Sequence, residues 1–241
     1  MPIANQFIQL ALQKNVLRFG EFTLKSGRIS PYFFNAGLFD DGTSLAKLGE
    51  YFAKTIKQSG LSFDMLYGPA YKGIPIATAI SVAYYHLFDE NIPVAFNRKE
   101  SKDHGEGGVL IGAPLGGKVL IVDDVISAGT SVRESIEIIK KNGAQVAGIS
   151  VALDRQEKGQ NNLSAIQELQ NSYKLQTTAI ANLDDLVSYL ADDPQKLSQI
   201  QAYKNQYGVD WLGFVIISQI PIAEFESQAL LLKHSIIRVN V

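Results

Sequence analysis

Residues 118–135 read KVLIVDDVISAGTSVRES, and the rest of the chain is organised around them. Residues 119–122 are an unbroken aliphatic run rich in β-branched side chains, which reads as a strand buried on both faces, as in a parallel sheet. The run ends in two carboxylates, Asp123 and Asp124, followed by Val125, Ile126 and the small residues Ser127, Ala128, Gly129, Thr130 and Ser131. Val132, Ile136 and Ile139 then recur at helical spacing, so a helix begins at about Thr130 or Ser131. Strand, small-residue turn and helix N-terminus together make an anion site, because free backbone N–H groups and the positive end of the helix dipole favour phosphate.

Two carboxylates beside a phosphate site repel the phosphate unless each has its own work. Hydrogen bonds to sugar hydroxyls, or stabilisation of a cation forming between them and the phosphate, supply such work, and the pattern points to a sugar phosphate. The plainer alternative is an aspartate pair capping a turn before an ordinary helix.

Bulk properties narrow the class. A chain of 241 residues suits one domain with a sizeable core. A net charge of −2 gives no general surface for nucleic acid or anionic lipid, so an anionic ligand must be held by local clusters. The absence of cysteine excludes disulfides, thiolate metal sites and cysteine nucleophiles, and fits a reducing compartment. No basic segment followed by an apolar core opens the chain, and no apolar run is long enough to span a bilayer. These features predict a cytoplasmic protein without membrane or nucleic-acid partners.

Working outward, residues 3–13 predict a helix, and residues 19–24 and 29–35 a β-hairpin around Ser26-Gly27. Tyr32, Phe33 and Phe34 sit in its second strand and cannot all face one side, because strand side chains alternate. Thr43 or Ser44 is expected to cap a helix carrying Leu45, Leu48, Phe52 and Ile56. Residues 63–67 predict a strand, then the loop Gly68-Pro69-Ala70-Tyr71-Lys72-Gly73 and a helix over 74–87. Lys72 thus falls where open α/β sheets bind ligands, although a solvated surface lysine is the commoner case. A strand over 92–96 leads into NRKESKDHGEGG, residues 97–108, which lacks apolar periodicity and is expected to be a mobile charged loop. Arg98, Lys99, Lys102 and His104 make it either a solvated run or a movable phosphate clamp. Residues 144–153 predict another buried strand, with Arg155 just past its end. A helix over 164–171, a strand over 175–180 and helices over 183–191 and 194–207 follow. Strands alternating with helices imply a parallel sheet with right-handed crossovers and helices on both faces.

Several segments carry a family resemblance. VLIVDDVISAGTS at 119–131 resembles the phosphoribosyl-pyrophosphate (PRPP) motif of the type I phosphoribosyltransferases. LKSGRISPYFFNAGLF at 24–39, YGPAYKGIPIA at 67–77, FNRKESKDHGEGG at 96–108 and SVALDRQEKG at 150–159 resemble, in order and separation, the bacterial orotate phosphoribosyltransferase family. The resemblance covers roughly residues 1–208. It implies the α/β type I phosphoribosyltransferase fold, a parallel sheet flanked by helices, with a small hairpin hood within about residues 1–40. It also implies transfer of the 5-phosphoribosyl group from PRPP to orotate with Mg²⁺, giving orotidine 5′-monophosphate and pyrophosphate in pyrimidine (UMP) biosynthesis.

Carried over by position, the resemblance gives Ser127 to Ser131 the 5′-phosphate, and Asp123 and Asp124 the ribose hydroxyls and the charge at an oxocarbenium-like C1. Val125 and Ile126 complete that PRPP motif. Tyr71 and Lys72 fall in the pyrophosphate loop, with Lys25 also reaching PRPP. Phe33 and Phe34 fall in the orotate hood, with Phe34 stacking on the flat ring, and Arg155 pairs with the orotate carboxylate. Ser127 stands where many members have Thr and keeps the hydroxyl that reaches orotate. Arg98, Lys99, Lys102 and His104 gather round pyrophosphate, with loop 98–108 supplied in trans by the second subunit of a homodimer. Lys102, Asp123 and Asp124 are the catalytic residues so implied. Mg²⁺ is expected to be held by PRPP and water, with no protein metal ligand. Phe33, Phe34 and Arg155 suit an acidic flat base better than a purine, and a nucleic-acid-binding PRPP sensor would need a basic face. The apolar tail at 209–241 departs from the family and is assigned no role.

Overall fold

The computed structural model describes residues 1–24, 26–102, 108–126, 129–159 and 162–209, with backbone alone at 100–102 and 108. The chain divides into two units, Met1–Gly208 and Val209–Val241, and the architecture below is that of the first.

Helix α1 (Ile3–Gln13) leads into an antiparallel hairpin, β1 (Leu17–Thr23) and β2 (Ile29–Phe34). Alternation along β2 buries Ser30, Tyr32 and Phe34 and leaves Phe33 on the other side. Helix α2 (Gly42–Ser59) follows, and its cap is Asp41, not Thr43 or Ser44: Asp41 accepts from the Ser44 amide at 2.8 Å while Ser44 Oγ receives the Asp41 N–H. Aspartate wins because its side chain reaches the third amide of the helix while its own backbone stays extended. Glu50 and Lys54 pair on the wet side of α2, as their spacing predicts.

The main sheet has the order β5-β4-β3-β6-β7-β8 among the described residues. Strands β3 (Met65–Gly68), β4 (Val94–Lys102), β6 (Lys118–Asp123), β7 (Gln145–Asp154) and β8 (Gln176–Asn182) pair in parallel. Strand β5 (Gly108–Gly112) is antiparallel to β4, so the sheet is mixed at that edge. Helix α3 (Gly73–Phe88) follows β3, α4 (Thr130–Lys141) follows β6, and α5 (Ala165–Tyr173), α6 (Leu183–Tyr189) and α7 (Pro194–Tyr207) complete the unit.

The sheet faces show why 118–135 decides the fold. Val119, Leu120, Ile121 and Val122 are all fully buried, and their alternation sends Leu120 and Val122 to one apolar cluster and Val119 and Ile121 to the other. Helix α3 buries Ile76, Ala77 and Ile80 in the first cluster, whereas α4 buries Val132, Ile136 and Ile139 in the second. Two crossovers that leave neighbouring strands β3 and β6 for opposite faces create a switch point, and the crevice beyond those strand ends is where such sheets bind ligands.

The charged segment differs from its expectation. Strand β4 runs on through Asn97 to Lys102, paired with β5 at Asn97↔Leu110 and Lys102↔Gly108. Antiparallel pairing satisfies the backbone without burying a side-chain face, so the absence of apolar periodicity did not prevent a strand. Residues 103–107 lie outside the described residues.

Candidate active site

At the switch point the carboxylate pair ends β6. Asp123 Oδ1 accepts the Asp124 amide at 2.9 Å, and Asp124 Oδ1 accepts the Val125 amide at 2.8 Å. The carbonyl of Asp124 is taken by the amides of Ala152 and Leu153, which ties the turn to β7. Asp124 is only 6% exposed and Asp123 half-buried. Burial first, and then the charge of Asp124, push the Asp123 carboxyl up to about 7. Lys72 faces the pair, with Nζ 2.7 Å from Asp124 Oδ2.

Beyond the carboxylates the turn enters α4 through Gly129, buried at φ +72°, where a Cβ would lie 3.0 Å from the Arg133 guanidinium. Glycine meets both demands, the left-handed backbone and the close approach. Gly129 at the N-cap has no side chain to close the helix end, and Thr130 and Ser131 are exposed at its first turn. Val125 and Ile126 are half-buried and pack on opposite clusters, anchoring the turn. Ser127 and Ala128 lie outside the described residues.

The loop after β3 approaches from the other side. Ala70 donates its amide to Asn97 Oδ1 at 2.9 Å, fastening the loop to β4, and the Ala70–Tyr71 peptide is cis. Tyr71 is exposed, with Lys99 Nζ 5.0 Å from its ring centroid. Arg98 is half-buried on the same strand. Lys25, His104 and the side chain of Lys102 lie outside the described residues.

Arg155 follows β7, and its side chain is largely enclosed. Its guanidinium lies 4.2 Å from the Tyr32 ring centroid, donates from Nε to Glu157 Oε1 at 2.8 Å with Nη2 2.6 Å from the same oxygen, and reaches Ser30 Oγ at 3.1 Å. The two phenylalanines of β2 part company. Phe33 stacks on Phe22 with Arg18 nearby, while Phe34 is 7% exposed with its ring 6.1 Å from Phe7. The face expected to stack on a flat ligand is thus packed in the core at Phe34.

The structure brings Tyr71, Lys72, Lys99, Asp123, Asp124 and the α4 N-terminus to the strand ends flanking the β3/β6 switch. Sequence reasoning missed Asn97, Ser30, Tyr32 and Glu157. Only Glu157, two residues beyond Arg155, left a local signal.

A doubly wound sheet with paired carboxylates and a helix entered through glycine at its switch point is the frame of a sugar-phosphate transferase. Residues 37–178 match the phosphoribosyl transferase domain, and the chain belongs to that family. It is 57% identical over 211 residues to the orotate phosphoribosyltransferase of Cronobacter sakazakii, covering 86% of this chain and 99% of the relative. It is 58% identical over 208 residues to that of Actinobacillus pleuropneumoniae serotype 5b, covering 85% and 98%. The crystal structure of the Francisella tularensis orotate phosphoribosyltransferase superposes with a TM-score of 0.77 at 42% identity, over 84% of this chain and 99% of that one. Within the family the chain is therefore one of the orotate phosphoribosyltransferases, enzymes of pyrimidine biosynthesis.

Proposed function

We propose that this chain joins orotate to PRPP in the crevice beyond β3, β6 and β7, releasing pyrophosphate and forming orotidine 5′-monophosphate. The observation that carries the site assignment is the placement of Asp123 and Asp124 between Lys72 on one side and the open α4 N-terminus on the other. A 5′-phosphate seated on the turn 127–131 puts the ribose over the two carboxylates and the diphosphate towards Tyr71 and Lys72. Asp123 and Asp124 then accept from the ribose hydroxyls and offset the positive charge that grows at C1 as the diphosphate leaves.

Lys72 and the cations of 98–104, with Lys25, meet the negative charge that grows on the leaving diphosphate. Lys102 is assigned the largest share, and closure of the 98–108 segment excludes the water that would otherwise trap C1. That segment belongs, in this reading, to the partner of a homodimer. Arg155 recognises the carboxylate of orotate, and β2 around Phe33 and Phe34 forms the hood over the flat ring. The burial of Phe34 gives it a scaffolding part in that hood.

Mg²⁺ fits this donor set as a partner of the substrate. In this reading the diphosphate, the ribose hydroxyls and water are its ligands. When bound there it neutralises diphosphate charge. Among the described residues no helix is long and apolar enough to cross a membrane, and we assign the enzyme to the cytoplasm. The catalytic domain is residues 1–208.

A PRPP-dependent assay offering orotate, uracil, adenine and hypoxanthine tests the assignment. Orotate is expected to be consumed with release of pyrophosphate. Equal or faster turnover of another base overturns it.

A further inference from the structure

Arg155 is not free to turn towards a ligand as it pleases. Its side chain is 12% exposed, and three of its sides are spoken for. The Tyr32 ring covers one face at 4.2 Å. Glu157 Oε1 accepts from Nε at 2.8 Å and lies 2.6 Å from Nη2 as an ion pair. Ser30 Oγ accepts from Nη2 at 3.1 Å and spends its own proton on the Tyr32 carbonyl at 2.8 Å. Tyr203, edge-on to Tyr32, also stands against Arg155 and Glu157, and among the described residues no hydrogen bond is made through Nη1.

The carboxylate that does this is itself held. Gln156 adopts φ +49°, which turns the chain so that Glu157 comes back onto Arg155. The turn is fixed twice over. Asp154 Oδ1 accepts the Gln156 amide at 2.8 Å, and the Gln156 side chain exchanges two hydrogen bonds with Asp184, both at 2.9 Å. On its far side Glu157 pairs by backbone bridge with Gly208, and Tyr32 Oη donates to the same Oε1 at 3.4 Å. A half-buried carboxylate with so many restraints is a fixed part of the site, not a mobile counter-ion.

We propose that Glu157 is a positioning residue for acceptor recognition: it locks the Arg155 guanidinium against Tyr32 and presents the Nη1 edge alone to the carboxylate of the base. The inference rests on the reading of Arg155 as the group that recognises that carboxylate. Its consequence is specific. Because the Arg155–Glu157 pair carries little net charge, a ligand carboxylate is selected by the direction of two N–H bonds and not by a general positive field. A base without a carboxylate gains nothing from the pair, so disturbing Glu157 affects orotate and leaves uracil alone.

Steady-state kinetics of Glu157 variants with orotate and with uracil test this. Glu157→Ala releases the guanidinium and is expected to raise the KM for orotate about tenfold, while the KM for PRPP stays within about twofold. Glu157→Gln keeps an oxygen acceptor for Nε and is expected to restore the orotate KM to within about twofold of the parent. An unchanged orotate KM in Glu157→Ala, or equal impairment by Ala and Gln, overturns the proposal. Should Glu157→Ala give no folded protein, Glu157→Asp carries the test, since it withdraws the carboxylate by one methylene. A raised orotate KM in Asp but not in Gln supports positioning, and any other result overturns it. Arg155→Ala separates the two layers of argument. If it leaves the orotate KM unchanged, the reading of Arg155 fails. If it raises the KM and the Glu157 variants do not, only the role of Glu157 fails.

Discussion

Lys72 and Asp124 form an ion pair across the switch point, Nζ to Oδ2 at 2.7 Å, joining the loop after β3 to the end of β6. The two partners sit in unlike surroundings. The lysine side chain is 49% exposed and the aspartate side chain 8%. The pair does little for stability at its wet end, because solvent screens the lysine. Its consequence is chemical: one cation and one carboxylate are held at contact distance where a leaving diphosphate and a ribose hydroxyl are proposed to sit.

Removing the lysine should therefore hurt rate more than fold. Lys72→Ala is expected to lower kcat/KM for PRPP by roughly 10²–10³, the range for losing one preorganised electrostatic contact. Its melting temperature should move by only a few degrees, as for an exposed pair. Parallel kinetics and thermal melts check both halves, and a large loss of stability with normal turnover would reverse the assignment.

The Asp123 carboxyl, pushed up to about 7 by burial and by Asp124, makes a pH prediction with a definite sign. An acid whose folded pKa is raised binds more protons folded than unfolded between its two values. It therefore contributes stability that is full below about pH 4 and is lost as pH rises through about 7. Asp154, raised to about 6 by its own burial, acts in the same direction over a narrower window. Asp123→Asn is expected to melt above the parent protein at pH 8, with the gap closing towards pH 5. In catalysis the carboxylate is the working form, so kcat/KM for PRPP should rise through a bend near pH 7 to a plateau above it in the parent. The bend from Asp123 should vanish in Asp123→Asn, whereas titration of the phosphates of PRPP persists in both.

Which parts could be read from the chain follows from how each element is stabilised. β6 and α4 declare themselves because burial on both sheet faces and on one helix face writes itself into residue type, as at residues 119–122 and Val132, Ile136 and Ile139. The outer length of β4 and the whole of β5 are held by backbone pairing at the sheet edge, which places no demand on side chains. The cap at Asp41 was mistaken for its neighbours because Ser44 is also a partner, the reciprocal half of the same capping box. Lys72, Asp123 and Asp124 were legible as strand-end residues, since topology alone sends strand ends of a doubly wound sheet to one crevice. The setting of Arg155 was not, because Ser30 and Tyr32 arrive from a hairpin 125 residues away in sequence.

The loop that carries Lys72 depends on a glycine. A Cβ on Gly68 would lie 2.1 Å from the Gly73 carbonyl oxygen and 2.9 Å from Ala77 Cβ, a clash with backbone that no rotamer relieves. Gly68→Ala must move either the end of β3 or the start of α3. Overpacking of this kind costs about 1–3 kcal/mol. The variant is expected to show that loss in denaturant titration together with a raised KM for PRPP, because Tyr71 and Lys72 ride on the displaced loop. An alanine variant with parent stability would show that the loop yields more easily than its packing implies.

The proposed sharing of active sites between subunits can be tested by complementation. Lys102 is assigned to the partner's 98–108 segment and Asp124 to the ribose site of the chain itself, so one composite site needs both chains. Lys102→Ala and Asp124→Asn should each lose roughly 10²–10³ in rate as homodimers, by analogy with loss of a single oxyanion donor. In a mixed dimer, one of the two composite sites collects both lesions and the other collects neither. With statistical mixing of equal amounts, half the dimers are hybrids and each has one intact site. Activity should then recover to roughly a quarter of the parent value. The measurement is the rate of pyrophosphate release after subunit exchange, with exchange verified by mass on differently tagged chains. If hybrids form and activity stays at the level of the parents of the mixture, each chain completes its own site and the trans assignment of 98–108 is wrong.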